Sequence, residues 1–167
     1  MNIKLVVAAA AFVLAGCASF DGRGLVPGKS TEQDVVALMG APADRIKLAD
    51  GDTKLYFPRQ PEGRMSYAAR IAPDGMLRSV DQLLTEQNIA NLVRGTTTRE
   101  QAREILGPPW RTTRLERQQR DVWEYKMYNQ VQDKFFLYVQ LSYDGIVQEV
   151  LMINDDVDEP GGLGSFS

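Results

Sequence analysis

The sequence predicts an α+β fold made of two tandem repeats, each a helix or helix pair followed by a β-meander, with the helices packed on one face of an antiparallel sheet. Two observations predict this fold. The segment 25–42 recurs as 92–109, an offset of 67, and six of the eighteen aligned residues are identical. In a strand that follows each copy, alternate residues are apolar or aromatic at an offset of 70: Met65, Tyr67, Ala69 and Ile71 match Phe135, Leu137, Val139 and Leu141. A pattern duplicated in register indicates two copies of one structural unit.

Each copy of the repeated segment carries the signals of one short helix. Apolar residues spaced i, i+3 and i+4 lie on one side of a helix. These residues are Val35, Leu38 and Met39 in the first copy, and Ala102, Ile105 and Leu106 in the second. The S/T-x-x-E/Q spacing of helix starts predicts caps at Ser30 with Gln33 and at Thr97 with Glu100. A glycine with a proline two residues later predicts each helix end, at positions 40 and 107.

Period-two alternation predicts the strands. They are 53–57, 65–72 and 76–81 in the first copy, and 122–127, 134–143 and 146–153 in the second. Asp-Gly pairs at 50–51, 74–75 and 144–145 predict hairpin turns, for which the type I′ turn prefers this pair. A further helix, capped by Thr85, is predicted over 85–93. We expect it to pack beside the helix at 98–106 as a helix pair.

Strand alternation also predicts a binding surface. If Leu137, Val139 and Leu141 face the helices, the residues between them face away. Those residues are Phe136, Tyr138 and Gln140, and we expect them to lie beside Arg70 of the first copy. Exposed aromatic side chains on an open sheet face are candidate partner contacts. Coverage of these residues by the C-terminal tail or by sheet curvature is the structural alternative.

Arginines recur every three residues after the second repeated segment, at positions 111, 114, 117 and 120. The ordinary interpretation is a solvated strand pair and its turn. The functional interpretation is a patch for an acidic partner or a lipid phosphate, to which Arg111 and Arg114 would contribute. Both interpretations remain open from the sequence.

The first seventeen residues have the pattern of an export signal. Lys4 precedes an apolar run over 5–14, which is too short to span a membrane as a helix. Residues 14–17, Leu-Ala-Gly-Cys, resemble the lipobox of bacterial lipoproteins, which implies that Cys17 is the lipid attachment site. Because Ala18 follows it, where enterobacterial lipoproteins of the inner membrane carry aspartate, the resemblance implies the outer membrane.

The predicted organisation divides the chain into five parts. They are a signal peptide (1–16), a lipidated tether (17–24), repeat 1 (25–91), repeat 2 (92–154) and an acidic, glycine-rich tail (155–167). We expect this tail to be flexible.

Composition argues against several functions. The formal charge of −3 and the pI of about 5.1 disfavour nucleic acid as a partner. The chain has no histidine and one cysteine, so the commonest general base and metal ligand are absent and no internal disulfide can form. The segment 28–30, Gly-Lys-Ser, lacks the first glycine of a phosphate-binding loop. We therefore expect no catalysis, no cofactor, no metal and no small-molecule substrate.

The repeated motif, Gly-x-(Ser/Thr)-Thr-x-(Gln/Glu) followed by apolar positions, Gly-x-Pro, an aromatic strand and an Asp-Gly hairpin, resembles the BamE (SmpA/OmlA) lipoprotein family. That resemblance implies a helix pair packed on a small antiparallel sheet. It also implies an outer-membrane lipoprotein that faces the periplasm and supports the machinery that inserts β-barrel proteins. This chain departs from the family in having two units, an arrangement similar to the tandem-repeat β-lactamase inhibitor proteins.

Two functional hypotheses follow. The first is a non-catalytic scaffold of the outer membrane that binds an envelope protein, such as a subunit of the barrel-assembly machinery, and serves outer-membrane protein assembly or envelope integrity. The alternative is an inhibitor or sensor that docks a concave sheet on a periplasmic enzyme, with Phe136 and Tyr138 as its anchors.

Overall fold

The computed structural model describes residues 21–155. This part of the chain is mostly β, with two separate four-stranded antiparallel sheets and about 19% helix. The predicted α+β class is therefore wrong. Helical periodicity lasts only two turns in each copy, whereas strand alternation continues through four strands. The strands, not the helices, make up most of the regular structure.

The first half contains one helix and sheet 1. Helix α1 (Glu32–Met39) precedes the four strands. In chain order these are β1 (Asp44–Lys47), β2 (Thr53–Pro58), β3 (Ser66–Ile71) and β4 (Leu77–Gln82). Each strand pairs antiparallel with the next. The edge strand β1 was not among the three predicted, since its four residues are mainly polar and half-exposed.

The second half repeats this order of elements after an additional helix. Helices α2 (Glu86–Ala90) and α3 (Arg99–Leu106) contact each other, as the predicted helix pair requires. Sheet 2 follows, with β5 (Arg111–Leu115), β6 (Arg120–Tyr128), β7 (Lys134–Ser142) and β8 (Val147–Asn154). A single 3₁₀ turn (Glu116–Gln118) joins the first two strands of this sheet. The strands predicted within 122–153 are thus confirmed.

Both long helices start one residue later than predicted. The N-caps are Thr31, which exchanges hydrogen bonds with Asp34, and Thr98, which exchanges them with Gln101. The predicted caps Ser30 and Thr97 instead accept hydrogen bonds from the backbone N–H groups of residues 26 and 93. Two hydroxyl residues stand in succession at each start, and the first of them stabilises the preceding turn.

The predicted hairpin turns are present, but they are not of the predicted type I′. At each Asp-Gly pair only the glycine has a positive φ, whereas a type I′ turn needs positive φ at both central residues. The Gly75 N–H donates to the Ala72 carbonyl, and the strand register shifts between Arg70 and Ile71. The glycine therefore closes a bulged hairpin.

Each half has its own buried core. In the first, Val35 and Met39 of α1 are buried together with inward residues of β2, β3 and β4. In the second, Ala102 and Leu106 of α3 are buried with the inward residues of β6 and β7. Those inward residues are Trp123, Tyr125, Met127, Leu137, Val139 and Leu141, all of which the alternation predicted to face inward.

Helix α3 also contacts sheet 1, on the side of that sheet opposite α1. The Arg103 guanidinium binds the Asp44 carboxylate at 2.6 Å, and the Lys54 ammonium donates to the Glu104 carbonyl oxygen at 2.7 Å. Burial lowers the pKa of Lys54, while the nearby Glu104 carboxylate opposes that change. Helix α3 therefore packs in the core of sheet 2 and also contacts the second surface of sheet 1.

The outer face of sheet 1, which we define as Ile46, Tyr56, Ala68 and Leu83, lies against the end of this helix. Tyr56, Ala68 and Leu83 are buried and form a third apolar cluster. A Cβ atom added at Gly107 would lie 3.1 Å from side-chain carbons of both Tyr56 and Leu83. The helix end approaches sheet 1 this closely because position 107 has no side chain.

A second contact between the halves comes from the loop between β2 and β3. The Gln60 side-chain oxygen accepts a hydrogen bond from the Lys126 backbone N–H at 2.8 Å. Arg64 donates to the Phe135 carbonyl oxygen at 3.3 Å and pairs with Asp155. This loop therefore binds the end of sheet 2 and joins the two halves at a second place.

The repeat offers a matched test of the contact at Gly107. Gly107 and Gly40 end equivalent helices with φ of 77° and 87° and with ψ near 180°, a conformation that is almost restricted to glycine. Gly40 has nothing within 4 Å of an added Cβ. We expect Gly40→Ala to lower the free energy of unfolding by about 1–3 kcal/mol through backbone strain alone. Gly107→Ala should lower the free energy of unfolding by about 1 kcal/mol or more beyond that, because the added methyl group also crowds Tyr56 and Leu83.

Urea denaturation of both variants and the parent protein measures this difference. Equal losses of unfolding free energy in the two variants would contradict a close contact between the halves at residue 107.

Candidate functional site

The surface of sheet 2 that faces away from α3 carries a group of apolar side chains. We define the outer face of sheet 2 by five residues, one from β6 and two each from β7 and β8. They are Val122, Phe136, Tyr138, Leu151 and Ile153. Strand register places four of them together, since Phe136 pairs with Ile153 and Tyr138 pairs with Leu151. Val122 pairs with Gln140 and is therefore a diagonal neighbour of Tyr138. The Phe136 and Tyr138 rings are 6.1 Å apart between centroids.

Much of this face is accessible. Leu151 and Ile153 are 38% and 48% exposed, and Val122, Phe136 and Tyr138 are half-buried. Within the described chain, none of the five belongs to any of the three buried apolar clusters. An apolar group of this kind on a folded protein indicates a binding surface.

Cationic groups border the aromatic side chains. The Lys126 ammonium is 6.0 Å from the Phe136 ring centroid and 4.6 Å from that of Trp110. The Arg64 guanidinium, from the loop of the first half, is 5.9 Å from the Phe136 centroid. Cations at such distances are attracted to the electron-rich ring faces. The surface therefore combines apolar contact area with the Lys126 ammonium, which can donate to a partner's carbonyl or carboxylate oxygens, whereas the Arg64 guanidinium is already paired with Asp155.

The two sheets differ most on these outer faces. On sheet 1 the equivalent surface, with Tyr56 and Leu83, is buried against the end of α3. On sheet 2 the corresponding positions are half-buried or exposed. The same structural position is an internal contact in the first half and a solvent-accessible surface in the second.

Four of the six predicted binding residues lie on this side of sheet 2. Phe136 and Tyr138 are part of the outer face. Gln140 projects on the same side, where its side-chain oxygen accepts a hydrogen bond from Arg120 at 3.3 Å. Arg111 lies at the border, 3.7 Å from Glu124 and 4.3 Å from the Trp110 ring centroid.

The other two predicted residues lie elsewhere. The expectation that Arg70 lies beside Phe136 is wrong, because the two sheets are separate and Arg70 is on β3 of sheet 1. Its guanidinium binds Asp50 and Asp52 there. Arg114 projects on the helix side of sheet 2 and binds Asp121 at 2.9 Å.

Two buried carboxylates, Asp121 and Asp52, each bind two arginine side chains. Asp121, on β6, is bound by Arg114 and by Arg99 of α3, each at 2.9 Å. The Arg114 hydrogen bond is the main cause that lowers the pKa of Asp121, and Arg99 adds to it against the opposing effect of burial. Asp52 likewise holds Arg70 and Arg78. Burial by itself would raise the pKa of Asp52, but the two arginines outweigh it and lower that pKa. These arginines have structural roles.

Sequence reasoning missed several residues of the site. Leu151 and Ile153 could have been assigned to it from the alternation of β8, which follows the same rule as β7. The position of Arg64 has no comparable signal, because it depends on how the loop of the first half reaches the second.

The remaining predicted features have limited structural counterparts. Cys17, the signal peptide and all but the first residue of the predicted tail lie outside the described residues. Over 21–155, no three His, Cys, Asp or Glu side chains come together as a metal site. No helix in this part of the chain is long and apolar enough to cross a membrane.

Comparison with known proteins gives little information. No family model matches the sequence, and no curated protein matches it. Among solved structures, the chain is similar to the crystal structure of a DUF4309 family protein (YjgB) from Bacillus subtilis. The identity is 20%, the alignment covers 79% of this chain and 83% of the other, and the TM-score is 0.30. At these values the similarity supports no inference about function.

The bridge at Asp121 gives a test with a defined pH dependence. Asp121→Asn removes the counter-charge of Arg99 and Arg114, and we expect a loss of about 1–3 kcal/mol of unfolding free energy at neutral pH. A carboxylate whose pKa is lowered by folding stabilises above its unfolded pKa and loses that contribution as the pH falls through its folded pKa. The difference between variant and parent should therefore shrink below about pH 4.

Chemical denaturation between pH 3 and pH 7 measures this effect. Asp74→Asn is the control, because the Asp74 carboxylate only accepts the Met76 backbone N–H, which an asparagine side chain can also accept. A pH-independent penalty for Asp121→Asn would exclude the ionic role.

Proposed function

We propose that this chain is a lipoprotein anchored through Cys17 in the outer membrane and facing the periplasm. In this proposal it is a non-catalytic scaffold that binds an envelope protein in outer-membrane protein assembly or envelope integrity. The signal-like residues 1–17 and the resemblance of the repeated motif to BamE-type lipoproteins support the location. The outer face of sheet 2 supports the binding role.

The observation that carries this proposal is the exposure of Leu151 and Ile153 next to Phe136 and Tyr138. Burying apolar surface contributes about 25 cal/mol per Å², and aromatic residues contribute strongly to interface affinity. The bordering Lys126 ammonium gives such an interface a polar contact at its edge. This pattern of an apolar centre and a charged border is typical of protein–protein interfaces.

Lipid attachment is tested first at the cysteine. Cys17→Ala removes the thiol that would carry the lipid, so the full-length protein should leave the membrane fraction or remain unprocessed. Fractionation of cells and the mass of the mature chain measure this. Membrane recovery and mass equal to those of the parent protein would exclude lipid anchoring.

The binding surface is tested by photo-crosslinking in cells from position 151. A photoreactive residue in place of Leu151 should capture a defined protein, because this exposed position on the edge strand β8 lies next to Tyr138 in the proposed interface. The matched control is position 131, where Val131 is 73% exposed in the turn between β6 and β7. Capture of a barrel-assembly subunit would support the scaffold role, and capture of a periplasmic hydrolase would support the inhibitor alternative. The same weak products from both positions would contradict a binding role for this face.

A further inference from the structure

We propose that the outer face of sheet 2 binds helix α1 of a second copy of this chain, head to tail. In this arrangement, the contact that α3 makes with sheet 1 inside one molecule is repeated between two molecules. The inference rests on the proposed function, because it names the partner of the same surface.

The template is the contact between the halves. On the helix side it consists of Arg103, Glu104 and Gly107. On the sheet side it includes Asp44, which binds Arg103, and Lys54, which binds the Glu104 carbonyl. Gly107 completes it by lying against the outer face of sheet 1.

The helix side of this template has an open counterpart at the start of the chain. At the repeat offset of 67, Arg103, Glu104 and Gly107 correspond to Val36, Ala37 and Gly40 of α1. Ala37 and Gly40 are exposed, Val36 is half-buried, and nothing lies within 4 Å of an added Cβ at Gly40. Helix α1 therefore presents to solvent the side that α3 presents to sheet 1, and this side is apolar.

The sheet side has its counterpart on sheet 2. In sheet 1, Tyr56 pairs with Asp44 on one side and with Ala68 on the other. In sheet 2, Glu124 pairs in the same way with Arg111 and with Tyr138. Asp44, Tyr56 and Ala68 therefore correspond to Arg111, Glu124 and Tyr138. By the same register, Lys54 corresponds to Val122. Leu151 of β8 corresponds to Asp81 of β4, since they pair with the equivalent residues Tyr138 and Ala68. Ile153 then corresponds to Leu83, which directly follows β4.

The substitutions on the two sides are complementary. In the internal contact the Lys54 ammonium donates to the Glu104 backbone carbonyl, with the Glu104 carboxylate nearby. The corresponding residues are Val122 and Ala37, so a polar contact is replaced by an apolar one. At the ion pair of Arg103 with Asp44, the position of Asp44 is taken by Arg111, whose charge is balanced by Glu124 in the same molecule. The contact between two copies would therefore bury no new unpaired charge, which is a requirement for a stable interface.

Such a contact is heterologous, so each copy in a pair still has one open α1 or one open outer face. The contacting area is small, and the internal version is held together by the chain itself. We therefore expect weak association in solution. Attachment of both copies to one membrane would raise their effective concentration and favour pairing.

A charge-swap experiment tests this inference on the full-length protein. Two differently tagged copies are placed in the same phosphatidylethanolamine and phosphatidylglycerol vesicles, and one carries a photoreactive residue at position 151. We expect a crosslink between the two tags that mass spectrometry maps to residues 32–40. Ala37→Glu in the second copy should reduce this product at least tenfold. Adding Val122→Lys to the first copy should restore it, because the new ammonium can pair with the new carboxylate across the contact.

The matched control is Ala49→Glu, which adds the same charge at an exposed alanine outside α1 and should leave the product unchanged. Absence of a crosslink between copies, mapping outside 32–40, an equal effect of the two glutamates, or failure of the charge-swap rescue would overturn the inference. If the same photoreactive residue captures a different envelope protein in cells, the proposed function stands while this inference fails. If it captures nothing in cells or in vesicles, both fail.

Discussion

The close approach of α3 to sheet 1 is the contact on which the arrangement of the two halves depends. It requires a residue without a side chain at the helix end, in a backbone conformation that other residues rarely adopt. Gly107 meets both requirements, and the neighbouring Arg103 and Glu104 add polar contacts to Asp44 and Lys54. Because the same helix fills the core of sheet 2 through Ala102 and Leu106, packing in one half fixes the position of the other.

This coupling explains why two similar halves have different surfaces. Sheet 1 has α1 on one side and α3 on the other, so small or buried residues such as Ala68 occupy its second surface. Sheet 2 comes last in the described chain and has α3 on only one side. Its second surface carries Phe136 and Tyr138 at positions where sheet 1 has Ser66 and Ala68. Equivalent positions therefore carry different side chains, and this difference gives sheet 2 an aromatic outer face.

The sequence was sufficient to predict the local elements but not the way they combine. Alternation correctly placed Trp123, Tyr125 and Met127 inside, since a strand with one buried face has a strict period of two. The helix caps were displaced by one residue because Ser30 and Thr31 have equivalent chemistry, and only the surrounding turn distinguishes them. The α+β fold class does not follow from the helix signals, because these signals cover only two turns in each half, whereas the strand signals cover four strands. The location of Arg70 depends on the separation of the chain into two sheets, and the role of Arg64 depends on a contact between the halves. No local pattern encodes either of these.

The loop that carries Gln60 and Arg64 has a consequence for how the chain could be divided. It supplies the first half's side chains to the last sheet, capping a backbone N–H of β6 and lying over Phe136. Deleting the first half would remove these groups and uncover Gly107, and deleting the second would expose Tyr56 and Leu83 to water. A cut between the halves would therefore leave each piece with newly exposed apolar surface or with lost hydrogen bonds, so we expect either piece to be less stable alone than within the whole chain.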